Sequence, residues 1–285
     1  MSTDRRARVR ALARELETIA LSHSGRCTYS LIDLVSDERL GLDEDAVMAP
    51  ASLIKVPILV ALYAAVERGE LRLDDRVRYQ ERHRSLGSGV LARMSFGVDM
   101  SVRDAATLMI IISDNSATNM CVDLLGLDAI NSELDGMGLR YTRVYRRWGE
   151  LTGDPDPRSM NTTTARETTS LLAQIARHAC VSREASEDML RILRRQDYRH
   201  ELSADLPWNE LNMLGDDPKV AWVAEKGGAS LGGVRAGGSI FKGPNGYFAM
   251  SALCEGGASA TTGRHHEANI TLGKLGMAAW KALAA

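Results

Sequence analysis

Apolar side chains recur at helical spacing over residues 4 to 21, where Val9, Leu12, Ala13, Leu16, Ile19 and Ala20 share one face and predict an opening amphipathic helix. Cys27 to Val35 and Glu38 to Leu42, parted by a Ser-Asp turn, are rich in strand-forming residues and predict a hairpin. From Ala51 to about Ala185 the spacing is mostly helical. Helices are expected from Ala51 through the apolar run Val56 to Val66, over 102–123, 127–136 and 164–179, with stops at Gly69, Gly126 and Gly138. After Val220 the pattern turns to strands, VAWVAEKG, GVRAGGSIFK and GYFAMSALC, separated by Gly-rich turns such as Pro244-Asn245-Gly246, and a helix over 268–284 closes the chain. This order predicts an α/β lobe made of residues 1–44 and 205–285, a helical lobe at 45–204 inserted between its halves, and a cleft where the two meet.

Composition narrows the partners. With 45% hydrophobic and 25% charged residues over 285 positions, the chain has the make-up of a globular protein with a sizeable core. Lys+Arg 35 against Asp+Glu 37 leaves a net charge of -2, so no field favours nucleic acid or an acidic membrane face. Val56 to Val66, the longest apolar run, carries Pro57 and falls short of the ~18 residues of a membrane span. The opening MSTDRRARVR has no secretory apolar segment behind it, and a cytoplasmic location is expected. Cys27, Cys121, Cys180 and Cys254 lie far apart, with no metal-ligand spacing; buried free thiols are expected, with no metal and no cofactor.

Three short motifs carry candidate chemistry. Ser52-Leu53-Ile54-Lys55 opens the most apolar helix, and residues three apart on a helix share a face, so the Lys55 amine can lie beside the Ser52 hydroxyl. A lysine in a partly dry site loses its proton more easily and can activate a serine. Taken alone, Ser52 also reads as an ordinary helix cap. Ser113-Asp114-Asn115 follows the apolar Leu108 to Ile112 and reads, by itself, as another cap. Lys226-Gly227-Gly228 sits on a late strand. Together the three come close to the S-x-x-K, S-D-N and K-T-G set of serine acyl-transfer enzymes.

The wording around them agrees. GELRLDDRV (69–77), GSGVL (87–91), TLMIIISDNSATN (107–119) and NTTTAR (161–166) resemble class A β-lactamases and penicillin-binding-protein-like serine enzymes over about residues 45 to 255, in content and order. The resemblance implies an α/β fold with an antiparallel sheet flanked by helices. It implies Ser52 as acyl-forming nucleophile, Lys55 as its base, Ser113 as proton relay, Asn115 as an anchor for substrate and Lys55, and Lys226 as electrostatic support. The backbone N–H groups of Ser52 and Ala229 would form the oxyanion hole, with Gly228 beside them on the substrate strand. Arg235 falls where the family often holds a substrate carboxylate, although a solvated strand arginine is the plainer reading.

Two departures bear on activity. Ungapped matching puts Trp148 where the family has the glutamate that activates the deacylating water, with Glu150 two residues late. Gly227 replaces a hydroxyl residue. A further feature is an insertion at Pro207 to Trp222, expected to reshape one wall of the cleft. The leading expectation is an acyltransferase that passes an acyl group from a small-molecule ester or amide to an amine, like the transacylases of capuramycin-type antibiotic assembly. A class A β-lactamase using Glu150, and a binding or sensing protein acylated once, are the alternatives.

Overall fold

The computed structural model describes residues 3–150, 153–154, 156–208, 211, 220–230, 233–259 and 263–285. Most of the 207–222 insertion lies outside them. The opening helix α1 (Thr3–Leu21) leads into strand β1 (Arg26–Asp33), which turns back into β2 (Arg39–Leu42). Helix α2 (Lys55–Glu67) follows a 3-10 turn at Ala51–Ile54. A small hairpin, β3 (Arg76–Arg78) and β4 (Asp99–Ser101), precedes α3 (Val102–Ile111), α4 (Asn115–Leu125) and α5 (Leu127–Gly136). Next come β5 (Arg143–Val144), β6 (Asn161–Thr162), α6 (Ala165–Ala176) and α7 (Arg183–Arg194). The chain ends with β7 (Trp222–Ala229), β8 (Arg235–Gly243), β9 (Gly246–Glu255) and α8 (Glu267–Leu283).

The five long strands form one antiparallel sheet in the order β2-β1-β9-β8-β7, which places β7 at an edge. Side chains alternate across a strand, so β9 serves two cores. Phe248, Met250, Ala252 and Cys254 face α1 and α8, whereas Ala249 and Leu253 face the helices from the middle of the chain. Helix α1 packs through Val9, Leu12, Leu16 and Ala20, the face expected from its spacing. All four cysteines are buried free thiols, with Cys27 opposite Cys254 across β1 and β9.

Two expectations need correction. The stretch 102–123 is two helices, because Ser113 between them adopts a left-handed backbone (φ 54) and the Asp114 carboxylate caps the next helix by accepting from Ala117 N–H at 2.9 Å. The apolar run Leu108 to Ile112, the end of α3, continues the pattern up to the break and hides it. Helix α7 was not marked by the pattern at all; its arginines and acids outweigh a buried stripe of Ala185, Met189, Ile192 and Leu193.

One buried ion pair ties both ends of the chain to the sheet. Arg5 Nε and Nη2 donate to the two Asp33 oxygens at 2.8 and 2.6 Å, Nη1 donates to Asn245 O, and Nη2 also reaches Leu283 O. Burial alone would raise the Asp33 pKa, but hydrogen bonds from Arg5 and Ser36 outweigh it and hold the carboxyl below its usual range. A carboxylate so lowered contributes stability that is complete above its unfolded value of about 4 and is lost as pH falls through the folded one. Arg5→Ala should therefore cost about 3–5 kcal/mol at neutral pH, by stranding Asp33, and less below about pH 4; urea unfolding at both pH values checks this.

Candidate active site

Ala51 enters the 3-10 turn with φ 46, a conformation that costs a non-glycine residue energy, and it delivers Ser52 directly ahead of α2. Lys55 is the first residue of the helix, with its backbone N–H donating to Ser52 O. The β7 backbone lies flush against this turn. A side-chain carbon at Gly228 would stand 2.7 Å from Ser52 N and 2.8 Å from both Leu53 N and Pro50 O, so only glycine permits the approach. Ala229, the last residue of β7, is exposed beside it and pairs with Arg235 on β8.

The Lys55 amine is fully buried and surrounded by oxygen. Nζ lies 2.7 Å from Ser113 O, 2.8 Å from Asn115 Oδ1 and 3.1 Å from Ser113 Oγ. Burial drives its pKa well below the ordinary lysine range, and the neighbouring Lys226 charge adds to the effect against the pull of Asp114. A neutral amine has two N–H groups and one lone pair. The two carbonyl-type oxygens can take the N–H groups, which leaves the lone pair free to accept from the Ser113 hydroxyl. The amine and that hydroxyl thus form a ready path for a proton.

The Ser113-Asp114-Asn115 corner is held by the loop before it. Asp114 Oδ2 accepts from Val90 N and Leu91 N at 2.7 and 2.9 Å, while Asn115 Nδ2 donates to Leu86 O at 2.9 Å. Gly89 accommodates this, since a side-chain carbon there would meet the Asp114 carboxyl at 2.2 Å. The corner therefore caps α4 and also brings Ser113 and Asn115 to the Lys55 amine.

Trp148 belongs to the same cluster. The centre of its ring is 5.2 Å from Lys55 Nζ. Its backbone is clamped on both sides by Asn119, whose Oδ1 accepts from Trp148 N at 2.9 Å and whose Nδ2 donates to Trp148 O at 2.8 Å. Glu150 is exposed and folds back on its own turn, accepting from Arg147 N at 3.3 Å. The structure thus puts the indole beside the lysine and leaves the nearest acid in its loop facing away. Asn119 lay within the quoted SATN segment, yet nothing in the spacing marked it as the clamp.

Lys226 is buried on β7 and donates to Gly227 O at 2.6 Å. Burial lowers its pKa, opposed by two carboxylates, Glu201 and Glu225. Glu225 accepts from Arg199 at 2.8 Å and from Ser203 Oγ, which compensates its charge locally. Glu201, from the loop between α7 and β7, lies against Gly227 with only 7% of its surface exposed, and no motif pointed to it. Arg235 is buried too, donating to Ser230 O and Val234 O, which corrects its reading as a solvated strand residue. Among the described residues, no group of three or more His, Cys, Asp or Glu is placed to hold a metal ion, and no helix is long and apolar enough to cross a membrane.

Comparison with known proteins bears on the fold and the family. A β-lactamase from Sphaerobacter thermophilus superposes with a TM-score of 0.80 at 25% identity, covering 97% of each chain. PBP-A gives 0.80 at 25% identity over 95% of each. β-Lactamase L2 of Stenotrophomonas maltophilia is 31% identical over 144 residues, 50% of this chain and 47% of its own length, so the match spans about half of that relative. The model of the β-lactamase enzyme family matches residues 11–283, nearly the whole length. The chain belongs to the β-lactamase enzyme family.

Proposed function

We propose that the protein is a serine acyltransferase: Ser52 takes an acyl group from a small-molecule ester or amide, and an amine, in place of water, carries it away as an amide. Cytoplasmic antibiotic or other secondary metabolism is the setting that fits. The observation that carries this reading is the indole of Trp148 above Lys55, with Glu150 turned back on its own loop. Water must lose a proton as it attacks an ester, and an indole cannot take one. A neutral amine attacks with a free lone pair and sheds its proton afterwards.

The steps follow from the side chains present. Ser52 Oγ adds to the acyl carbonyl as its proton passes to neutral Lys55. The negative oxygen is met by the Ser52 and Ala229 N–H groups, donors of a kind worth about 3 kcal/mol each. Lys55 then returns the proton through the Ser113 hydroxyl to the leaving group, with Lys226 steadying the charge. In the second half the acceptor nitrogen bonds to the acyl carbon and gives its proton to Lys55 by the same path. The Ser52–acyl bond breaks and Oγ recovers a proton. Hydrolysis of β-lactams is the competing outcome, favoured by the identity to β-lactamase L2.

Intact-protein mass spectrometry after mixing with an activated ester or with penicillin should show one adduct that persists in water and is discharged by added amine. Ser52→Ala should show no adduct. Rapid hydrolysis of penicillin by the wild type, halted at the acyl stage by Glu150→Gln, would overturn the acyltransferase reading.

Lys55→Ala should slow acylation by about 10² to 10⁴, the usual contribution of a general base, without change in the adduct formed. Stopped-flow release of the ester's leaving group measures it.

Trp148→Glu should place a carboxylate beside Lys55 and speed loss of the adduct to water by about 10² or more. Single-turnover decay of the adduct, with and without amine, provides the comparison.

A further inference from the structure

Gly227 and Gly237 face each other across β7 and β8. Two glycines opposed in this way leave a slot on one face of the sheet, and Glu201 fills it. A side-chain carbon on Gly227 would lie 2.2 Å from Glu201 Oε2 and 2.7 Å from Oε1, and one on Gly237 would lie 3.0 Å from Glu201 Cβ. The carboxylate is held in place by His200 N, which donates to Oε2 at 3.3 Å.

The slot is flanked by positive charge. Lys226 precedes Gly227 on β7, and Arg235 stands two residues before Gly237 on β8; Glu201 acts on the charge of both. Two buried cations beside the Ser52 turn would by themselves favour an anionic group on the substrate. Glu225, the other carboxylate near Lys226, is engaged by Arg199 and Ser203. Burial and the Glu225 charge raise the Glu201 carboxyl to about 7 against the pull of Lys226 and Arg235, so above that pH the anion facing the two cations is supplied by the chain itself.

We propose that Glu201 is the specificity-determining residue of the Ser52 site: its carboxylate occupies the place beside Lys226 and Arg235 that a substrate carboxylate would take, so the site selects acyl groups that are uncharged or basic at that end. This rests on Ser52 as the nucleophile but not on the identity of the acceptor. A substrate carboxylate entering there meets a like charge and a filled slot. An ammonium group meets a carboxylate.

Three boronic acids that add reversibly to serine test the proposal: phenylboronic acid, 3-carboxyphenylboronic acid and 3-(aminomethyl)phenylboronic acid, with binding followed by titration calorimetry at about pH 8, above the raised Glu201 value. The wild type should bind the carboxyl compound about tenfold or more weakly than the parent, and the aminomethyl compound at least as well as the parent. Glu201→Gln, which keeps the shape and removes the charge, should narrow the gap between carboxyl and aminomethyl compounds by about tenfold or more. Glu201→Ala should narrow it further by opening the slot. Equal binding of the carboxyl compound and the parent by the wild type, or ratios unchanged in both variants, would overturn the assignment. Ser52→Ala, losing all three adducts, checks the nucleophile separately, so that an unchanged ratio counts against Glu201 alone.

Discussion

The site depends on burying two lysines side by side. Lys55 and Lys226 are each almost inaccessible to water, and charges of like sign in such a place are costly. The cost is met differently at the two positions. Around Lys55 there are three oxygen atoms and no carboxylate in hydrogen bond, and burial holds its pKa well below the ordinary lysine range. Around Lys226 there are carboxylates, Glu201 and Glu225, that support the charge. The asymmetry supports the roles proposed for them, a base at one lysine and a supporting charge at the other, with no change of residue type.

Everything that positions the first lysine is backbone geometry under constraint. Ala51 and Ser113 are both non-glycine residues with positive φ, the first opening the turn that leads into Lys55 and the second accepting from its amine. Such conformations persist where surrounding contacts overdetermine them. At Ser113 the contacts are those of Asp114, which accepts from Ala117, Val90 and Leu91 and so joins a helix start to the loop in front of it. At Ala51 the closing element is β7, whose Gly228 lets the strand press on the turn. The sheet edge and the helices thus hold a single turn between them.

Much of this was legible in the chain. Lys55, Ser113 and Asn115 stand in short motifs that the structure brings together, and the strands of the sheet follow a period that packing on two cores enforces. Trp148 was singled out by ungapped matching, and its ring does lie 5.2 Å from Lys55 Nζ. Glu201 was not singled out. Its place arises from two glycines meeting across separate strands and from a loop between α7 and β7 whose path no periodicity records. The break at Ser113 was obscured by the apolar end of α3, which runs up to it without a turn residue.

The contact between Glu201 and Gly227 makes two distant positions behave as one. A threonine or serine at 227 would drive its Cβ into the carboxyl group, so the Glu201 side chain would have to swing out of the slot to admit it. Shortening 201 first leaves an empty slot that a hydroxyl residue can fill with no such shift. Passage between a chain of this kind and one with a hydroxyl residue on that strand is therefore easier with the loop changing before the strand. A relative caught midway would be recognised by a small residue at 201 beside a glycine at 227.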